Sequence, residues 1–223
     1  MRQRSYLFIS ILAVLATPFS ASAHLPIYIH NTSKIIIPDA DTSRAYYGEL
    51  GGEPAEYSVT LSTTTKFYIS ILAPDIAGAF TDYEVVMRDA SGRTALALLP
   101  GDSWQRWYEE FGGDMYLKGP EERKELPAGT YIISVDNKSH SGKYVLAPGE
   151  EEIFTVGGTP ETIRQIYLMK TKFFGKPPYA IFEGIIGRAI LGICIAILLI
   201  FIGAGYILAR RSRRRSRGQA PFK

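Results

Sequence analysis

From Ala189 to Ala209 the chain runs 21 residues without a charged side chain, and Arg210, Arg211, Arg213, Arg214, Arg215 and Arg217 follow at once. A helix rises about 1.5 Å per residue, so such a run is ~31 Å long and matches the hydrocarbon thickness of a bilayer. It is built of Ile, Leu, Ala and Gly, with Phe201, Tyr206 and the sole cysteine, Cys194. A helix apolar on every side suits lipid better than one layer of a water-soluble domain. Basic residues beside a span stay on the cytoplasmic side, so the arginines predict a tail (210–223) inside the cell and everything before residue 185 outside it. Tyr206 then lies near the inner headgroups, and Glu183 and Arg188 sit at the outer flank, where they can pair or snorkel. Gly184, Gly187, Gly192, Gly203 and Gly205 include no pair four apart, the spacing of close helix dimers, so they are expected to reflect ordinary membrane-helix composition.

The opposite end carries a complementary signal. Arg2 and Arg4 precede an apolar run, Tyr6 to Ala16, which ends at Thr17 and Pro18 before the small-residue site Ala21-Ser22-Ala23. Eleven residues cannot cross a bilayer that needs about 20, so residues 1–23 are expected to be a signal peptide and the mature chain to begin at His24. Between the ends, residues 24 to 180 hold 15 basic and 21 acidic side chains, a net charge of −6. That balance removes the electrostatic basis for binding nucleic acid, which is not an expected partner. With Cys194 inside the span, the exported part has no disulfide and no thiolate metal site, and its stability must come from packing.

Residues 24–158 read as an all-β domain, a jelly-roll-like β-sandwich. Short runs rich in Tyr, Ile, Val and Thr recur about every dozen residues between Gly, Pro, Asn and Asp. Strands are predicted at 44–50, 55–62, 66–72, 82–88, 94–99, 114–117, 129–135, 143–147 and 152–156. Tyr57, Val59 and Leu61 alternate with Ser58, Thr60 and Ser62, and Tyr131, Ile133 and Val135 alternate in the same way, so each strand turns one face to a core. Two segments break the pattern. Trp104, Trp107, Tyr108 and Phe111 stand at i, i+3, i+4 and i+7, which predicts a short aromatic helix after Asp102 or Ser103. Its rings would plug the core, or Trp104, Trp107 and Tyr108 would form a ligand platform. Thr159 and Pro160 open a second, juxtamembrane helix within residues 159–184, with Ile163, Ile166, Tyr167, Lys170 and Phe174 on one side. Gly175 ends it, and Lys176-Pro177-Pro178 is expected to act as a stiff link to the span.

The stretch Leu126-Pro127-Ala128-Gly129-Thr130-Tyr131, continued by Ile132-Ile133-Ser134-Val135 and then by Gly142-Lys143-Tyr144-Val145-Leu146, resembles the closing hairpin of the bacterial pre-peptidase C-terminal domain family. The segment Asp82 to Gly92 is similar to that family's strand with an aspartate-containing turn. The resemblance implies a jelly-roll-like sandwich of the kind that accompanies secreted enzymes and can bind polymers or calcium. It covers about residues 82–150; the aromatic stretch 104–116 is extra, and no catalytic domain accompanies it.

Catalytic patterns are sparse. His24, His30 and His140 are the only histidines, with no Gly-x-Ser-x-Gly elbow and no His-Glu-x-x-His pair. An exposed α-amine on His24 could chelate copper together with its own imidazole and His30 or His140, which makes a copper-binding or copper-dependent oxidative protein the alternative reading. Asp39 and Asp41, with Asp102 and Asp114, offer loop oxygens for calcium but lack an Asp-x-Asp-x-Asp-Gly spacing. Glu109-Glu110 and Glu121-Glu122 are adjacent pairs that would not face each other across a glycoside. Asn31 and Asn137 begin glycosylation sequons. The leading expectation is a non-enzymatic, membrane-anchored binding module with no resident cofactor. Its partners would be the bilayer and a protein, a cell-envelope polymer or another subunit of a membrane complex, and tethering would raise the effective concentration toward any of them.

Overall fold

Alternating side chains need two surfaces to face, and the chain supplies both by closing two sheets on one another. The structure, a computed structural model, describes residues 25–30, 34–101, 104–151 and 160–217. One sheet has six strands in the order β1 (Leu25–Tyr28), β3 (Arg44–Gly51), β11 (Ser141–Pro148), β5 (Thr65–Pro74), β9 (Asp114–Leu126) and β8 (Gln105–Glu109). The other has five, in the order β2 (Lys34–Ile37), β4 (Ala55–Leu61), β10 (Gly129–Asp136), β6 (Glu84–Asp89) and β7 (Thr94–Leu98). Neighbours are antiparallel except at one edge of each sheet, where β1 runs parallel to β3 and β2 parallel to β4. The result is the expected β-sandwich.

Tyr57, Val59, Leu61, Ile69, Ile71, Val85, Met87, Ile133, Val135 and Leu146 fill the space between the sheets. Two of the phenols in this core pair: the Tyr57 and Tyr144 hydroxyls lie 2.8 Å apart, which spares both the penalty of an unsatisfied buried polar group. A second apolar layer covers the outer face of the six-stranded sheet, where Ala45, Tyr47, Leu72, Tyr116, Val145 and Ala147 meet Met169 and Phe173. Strands β5 and β11 are therefore buried on both faces, and their segments read as nearly unbroken apolar runs with no alternation.

The covering layer is the segment that precedes the long apolar helix. Helix α1 (Pro160–Leu168) continues as a single π turn (Met169–Phe173), then a 3₁₀ turn (Pro178–Phe182), then α2 (Gly184–Arg217). Gln165 accepts a 2.8 Å hydrogen bond from the Tyr28 N–H, which fixes α1 along edge strand β1. The π turn adds a residue per turn and rotates the face presented to the sheet. Met169 and Phe173 are thereby buried, while Ile163 and Tyr167 of the expected apolar side stay partly exposed.

Three local expectations are corrected. Trp104 to Phe111 contains no helix: residues 105–109 form β8, paired with β9 from Gln105↔Lys118 to Glu109↔Asp114. The helical spacing of the aromatics is overridden by a tight turn at Gly112-Gly113 that folds β9 back on β8. The 126–150 segment is not a hairpin either, because β10 and β11 belong to different sheets. The turn between them carries the chain across the sandwich and is organised by Asn137, whose Oδ1 accepts from Ser139 and Ser141 N–H while its Nδ2 donates to Ser141 O. With its amide so used and only 5% of the residue exposed, Asn137 is poorly placed to carry a glycan. Finally, β1 and β2 form strands that were not anticipated. The signal peptide, Asn31, the Thr159 cap and the strand expected at 152–156 lie outside the described residues.

Candidate functional site at the base of the sandwich

Strands β8 and β9 end in a turn whose backbone is satisfied from within. The Glu109 carboxylate accepts from the Phe111 and Gly112 N–H groups at 2.7 and 2.6 Å, and Gly113 N–H donates to Glu109 O at 2.9 Å. Burial raises the Glu109 pKa, and the two N–H donors offset part of that rise. Glu109 is thus committed to the turn. The tip then touches the start of the apolar helix: Ile185 N–H donates to Glu110 O at 3.0 Å, and Gly113 and Gly184 face each other backbone to backbone. Both glycines have positive φ, +74° and +73°, and a Cβ on either would overlap backbone atoms of the other segment. Gly184 is therefore required by a close approach, beyond the compositional role expected for it.

Behind the turn lies a cluster of charges whose centre, Lys170 and Asp114, is buried, while Lys176 and Glu183 at its rim are partly exposed. Lys170, on the π turn, donates from Nζ to Asp114 Oδ2 at 2.6 Å and to Gly112 O, with both side chains essentially inaccessible to water. Lys176 Nζ stands 2.7 Å from Asp114 Oδ1, an ion-pair approach not aligned as a hydrogen bond, and donates to Glu183 Oε2 at 2.6 Å. Glu183 is also 3.6 Å from Lys170. Two cations and two anions therefore neutralise one another, the condition under which charges survive removal from water. Burial opposes ionisation of Glu183, but Lys176 and Lys170 outweigh it and lower the pKa. For Lys176 burial again opposes the charge, and Asp114 and Glu183 overcome it to raise the pKa.

The signs define a window. A carboxyl whose pKa is lowered on folding stabilises above its unfolded value, near 4.5, and that contribution disappears as pH falls through the folded value; a lysine raised on folding contributes below about 10.5 and loses it above. Glu109, raised, acts in the opposite sense and partly offsets the acid loss. The docked segment is expected to hold from about pH 5 to 10. Below pH 4 it should exchange amide hydrogen faster at Met169–Phe173 than the β4–β10 pair does. Equal protection at pH 3 and pH 7 would show that Glu183 contributes nothing.

Trp104, Trp107 and Tyr108 do not form one platform. Trp104 packs against the inter-sheet core, its ring 6.3 Å from that of Tyr83, as a plug would. Trp107 and Tyr108 are neighbours on β8 and so point to opposite faces of the hairpin. Trp107 leans on Tyr116 at 5.9 Å, and Tyr116 on Phe174 of the docked segment at 5.2 Å, whereas Tyr108 stands opposite Met115. His24 lies outside the described residues. His30 follows β1 and is exposed; His140 is exposed in the β10–β11 turn, where Nδ1 lies 2.8 Å from Asp136 Oδ1. Among the described residues no three His, Cys, Asp or Glu side chains converge in a way that could hold a metal ion. Asp39 closes its own turn by accepting from the Thr42 hydroxyl and the Asp41 N–H, bonds that lower its pKa. Asp114, expected as a loop acid, opens β9 and has both oxygens engaged by lysines. A surface cleft of about 170 Å³ beside Asp41, Lys66, Tyr68 and Glu150 is smaller than the ~300 Å³ at which ligand pockets begin.

Sequence reading missed the Asp114–Lys170–Lys176–Glu183 cluster. The usable signal was Lys170 itself, a cation in line with Ile163, Ile166 and Phe174 on the face of a helix expected to pack, where an acid from elsewhere in the chain must meet it.

No protein-family model and no curated protein sequence matches the chain. Solved structures resemble part of it. The pre-peptidase C-terminal domain of a collagenase from Bacillus anthracis is 16% identical, covering 54% of this chain and 97% of that one at a TM-score of 0.35. The likeness to a pre-peptidase C-terminal domain is thus weak and partial. A periplasmic inhibitor of g-type lysozyme from Aeromonas hydrophila is 15% identical over 52% of this chain and 95% of its own, with a TM-score of 0.30. A mitogen from Yersinia pseudotuberculosis is 16% identical over 52% and 88%, also at 0.30. Likeness this slight says nothing about ligand or chemistry.

Proposed function

We propose that this chain is a membrane-anchored, extracytoplasmic interaction module that works by binding and not by catalysis. One observation carries the reading. The apolar stretch Gly187–Arg210 is 24 residues long and, from Leu191 onward, almost wholly exposed, yet it is joined without slack to a folded β-sandwich. So much uncovered apolar surface calls for lipid around it. The arginines after it favour the orientation with the sandwich outside. Support for binding over chemistry comes from the charged groups at the base, which are used up in holding the juxtamembrane segment. The partner is a protein or a cell-envelope polymer, and edge strand β2 of the five-stranded sheet, with Ile36 exposed, is a surface open to it. Membranes from expressing cells should retain the full-length mature chain in alkaline carbonate, and protease added outside intact cells should digest the sandwich while sparing the tail. Release by carbonate, or the reverse cleavage pattern, would overturn the reading.

A further inference from the structure

The link between sandwich and span has no free length. Sequence composition suggested a stiff spacer at Lys176-Pro177-Pro178, but this segment is bonded throughout. Lys176 N–H donates to Lys170 O, Ala180 N–H to Pro177 O and Glu183 N–H to Ala180 O, while the Lys176 side chain joins the buried cluster. The sandwich is therefore held at the root of α2 and cannot ride above it on a stalk.

The height of the β8–β9 turn follows from this. Gly113 touches Gly184, and the apolar stretch begins at Gly187, three residues or about 4.5 Å further along the helix axis. Headgroups add about 5–7 Å to each side of the hydrocarbon, so the turn lies within their layer. Tyr108 and Trp107 are one and two residues from the end of β8, at most about 3.4 and 7 Å farther along the strand. Here the chain exposes aromatic and thioether side chains: Trp107 at 40%, Tyr108 at 48% and Met115 at 37%, with Tyr179 at 71% and Phe182 at 41% on the 3₁₀ turn beside them. Tryptophan and tyrosine, with an apolar body and a polar tip, are the residues that favour the headgroup boundary. Because Trp107 and Tyr108 point to opposite sides, the hairpin carries a ring on each face, an arrangement that suits immersion better than contact with a flat protein surface.

We propose that the β8–β9 hairpin and the Pro178–Phe182 turn form an aromatic foot in the outer headgroup layer, which seats the sandwich directly on the lipid surface. The inference rests on the anchoring reading and adds the lipid-facing side of the domain to it. Its test uses the full mature chain in vesicles of phosphatidylcholine and phosphatidylglycerol, with a fraction of the lipid brominated near the carbonyl end of its acyl chains. Trp107 should lose a larger share of its emission to the bromines than Trp104, packed in the core; Trp107→Phe should remove the more quenched component and leave the other. Chain retained in carbonate-washed vesicles with Trp107 emission undiminished would overturn the foot alone. Chain released by carbonate would overturn the anchoring reading and the foot together.

Discussion

Lys170→Met is expected to cost the sandwich and its docked segment about 3–5 kcal/mol, because it removes one partner of a buried ion pair and leaves the other desolvated. Methionine fills nearly the volume of the lysine stem, so the loss is electrostatic. Asp114 would keep only Lys176, and Gly112 O would lose its donor. The paired change Lys170→Met with Asp114→Leu should recover most of the loss, since an apolar pair of similar size often replaces a buried salt bridge at little cost. Denaturant unfolding of the detergent-solubilised chain, followed by intrinsic fluorescence, gives both values. A single substitution within about 0.5 kcal/mol of wild type, or a double one no better than the single, would mean that the cluster does not hold the segment down.

Gly184→Ala should part the hairpin tip from the helix root. The left-handed conformation alone costs a residue with a Cβ roughly 1–2 kcal/mol. The new methyl would also overlap Phe111 O, Gly112 C and Gly113 N, all of them backbone, so no side-chain rotation relieves it. The amide of Ile185, bonded to Glu110 O, should lose its protection from hydrogen exchange, and proteases should gain access to residues 175 to 184. Gly192→Ala is the control, since an added Cβ there meets open space in regular helix. Equal exchange at Ile185 in the two variants would show that the close approach is not required.

These two sites differ in how visible they were. Tyr57, Val59 and Leu61 announce their strand because alternation is a property of a few consecutive residues, and the span announces itself for the same reason. Trp104, Trp107, Tyr108 and Phe111 carry an equally regular local signal, yet residues 105–109 form a strand, because Asp114 to Lys118 offers a complete hydrogen-bonding partner just beyond a glycine turn. The apolar runs in β5 and β11 carry a hint of the docked segment: strands without alternation must be covered on both faces, and the segment before the apolar helix can cover the second. The resemblance over residues 82–150 pointed to the sandwich correctly while misplacing β11, since two successive strands read alike whether they pair or cross between sheets.

By itself the sequence determined the all-β class, the long apolar helix and the arginine tail behind it, because each rests on composition or on period along the chain. Tertiary structure alone decided that β10 and β11 part company, that 105–109 extends, and that Lys170 meets Asp114 across 56 residues. Those outcomes depend on which distant surfaces can bury one another and satisfy one another's charges, and nothing local encodes the answer.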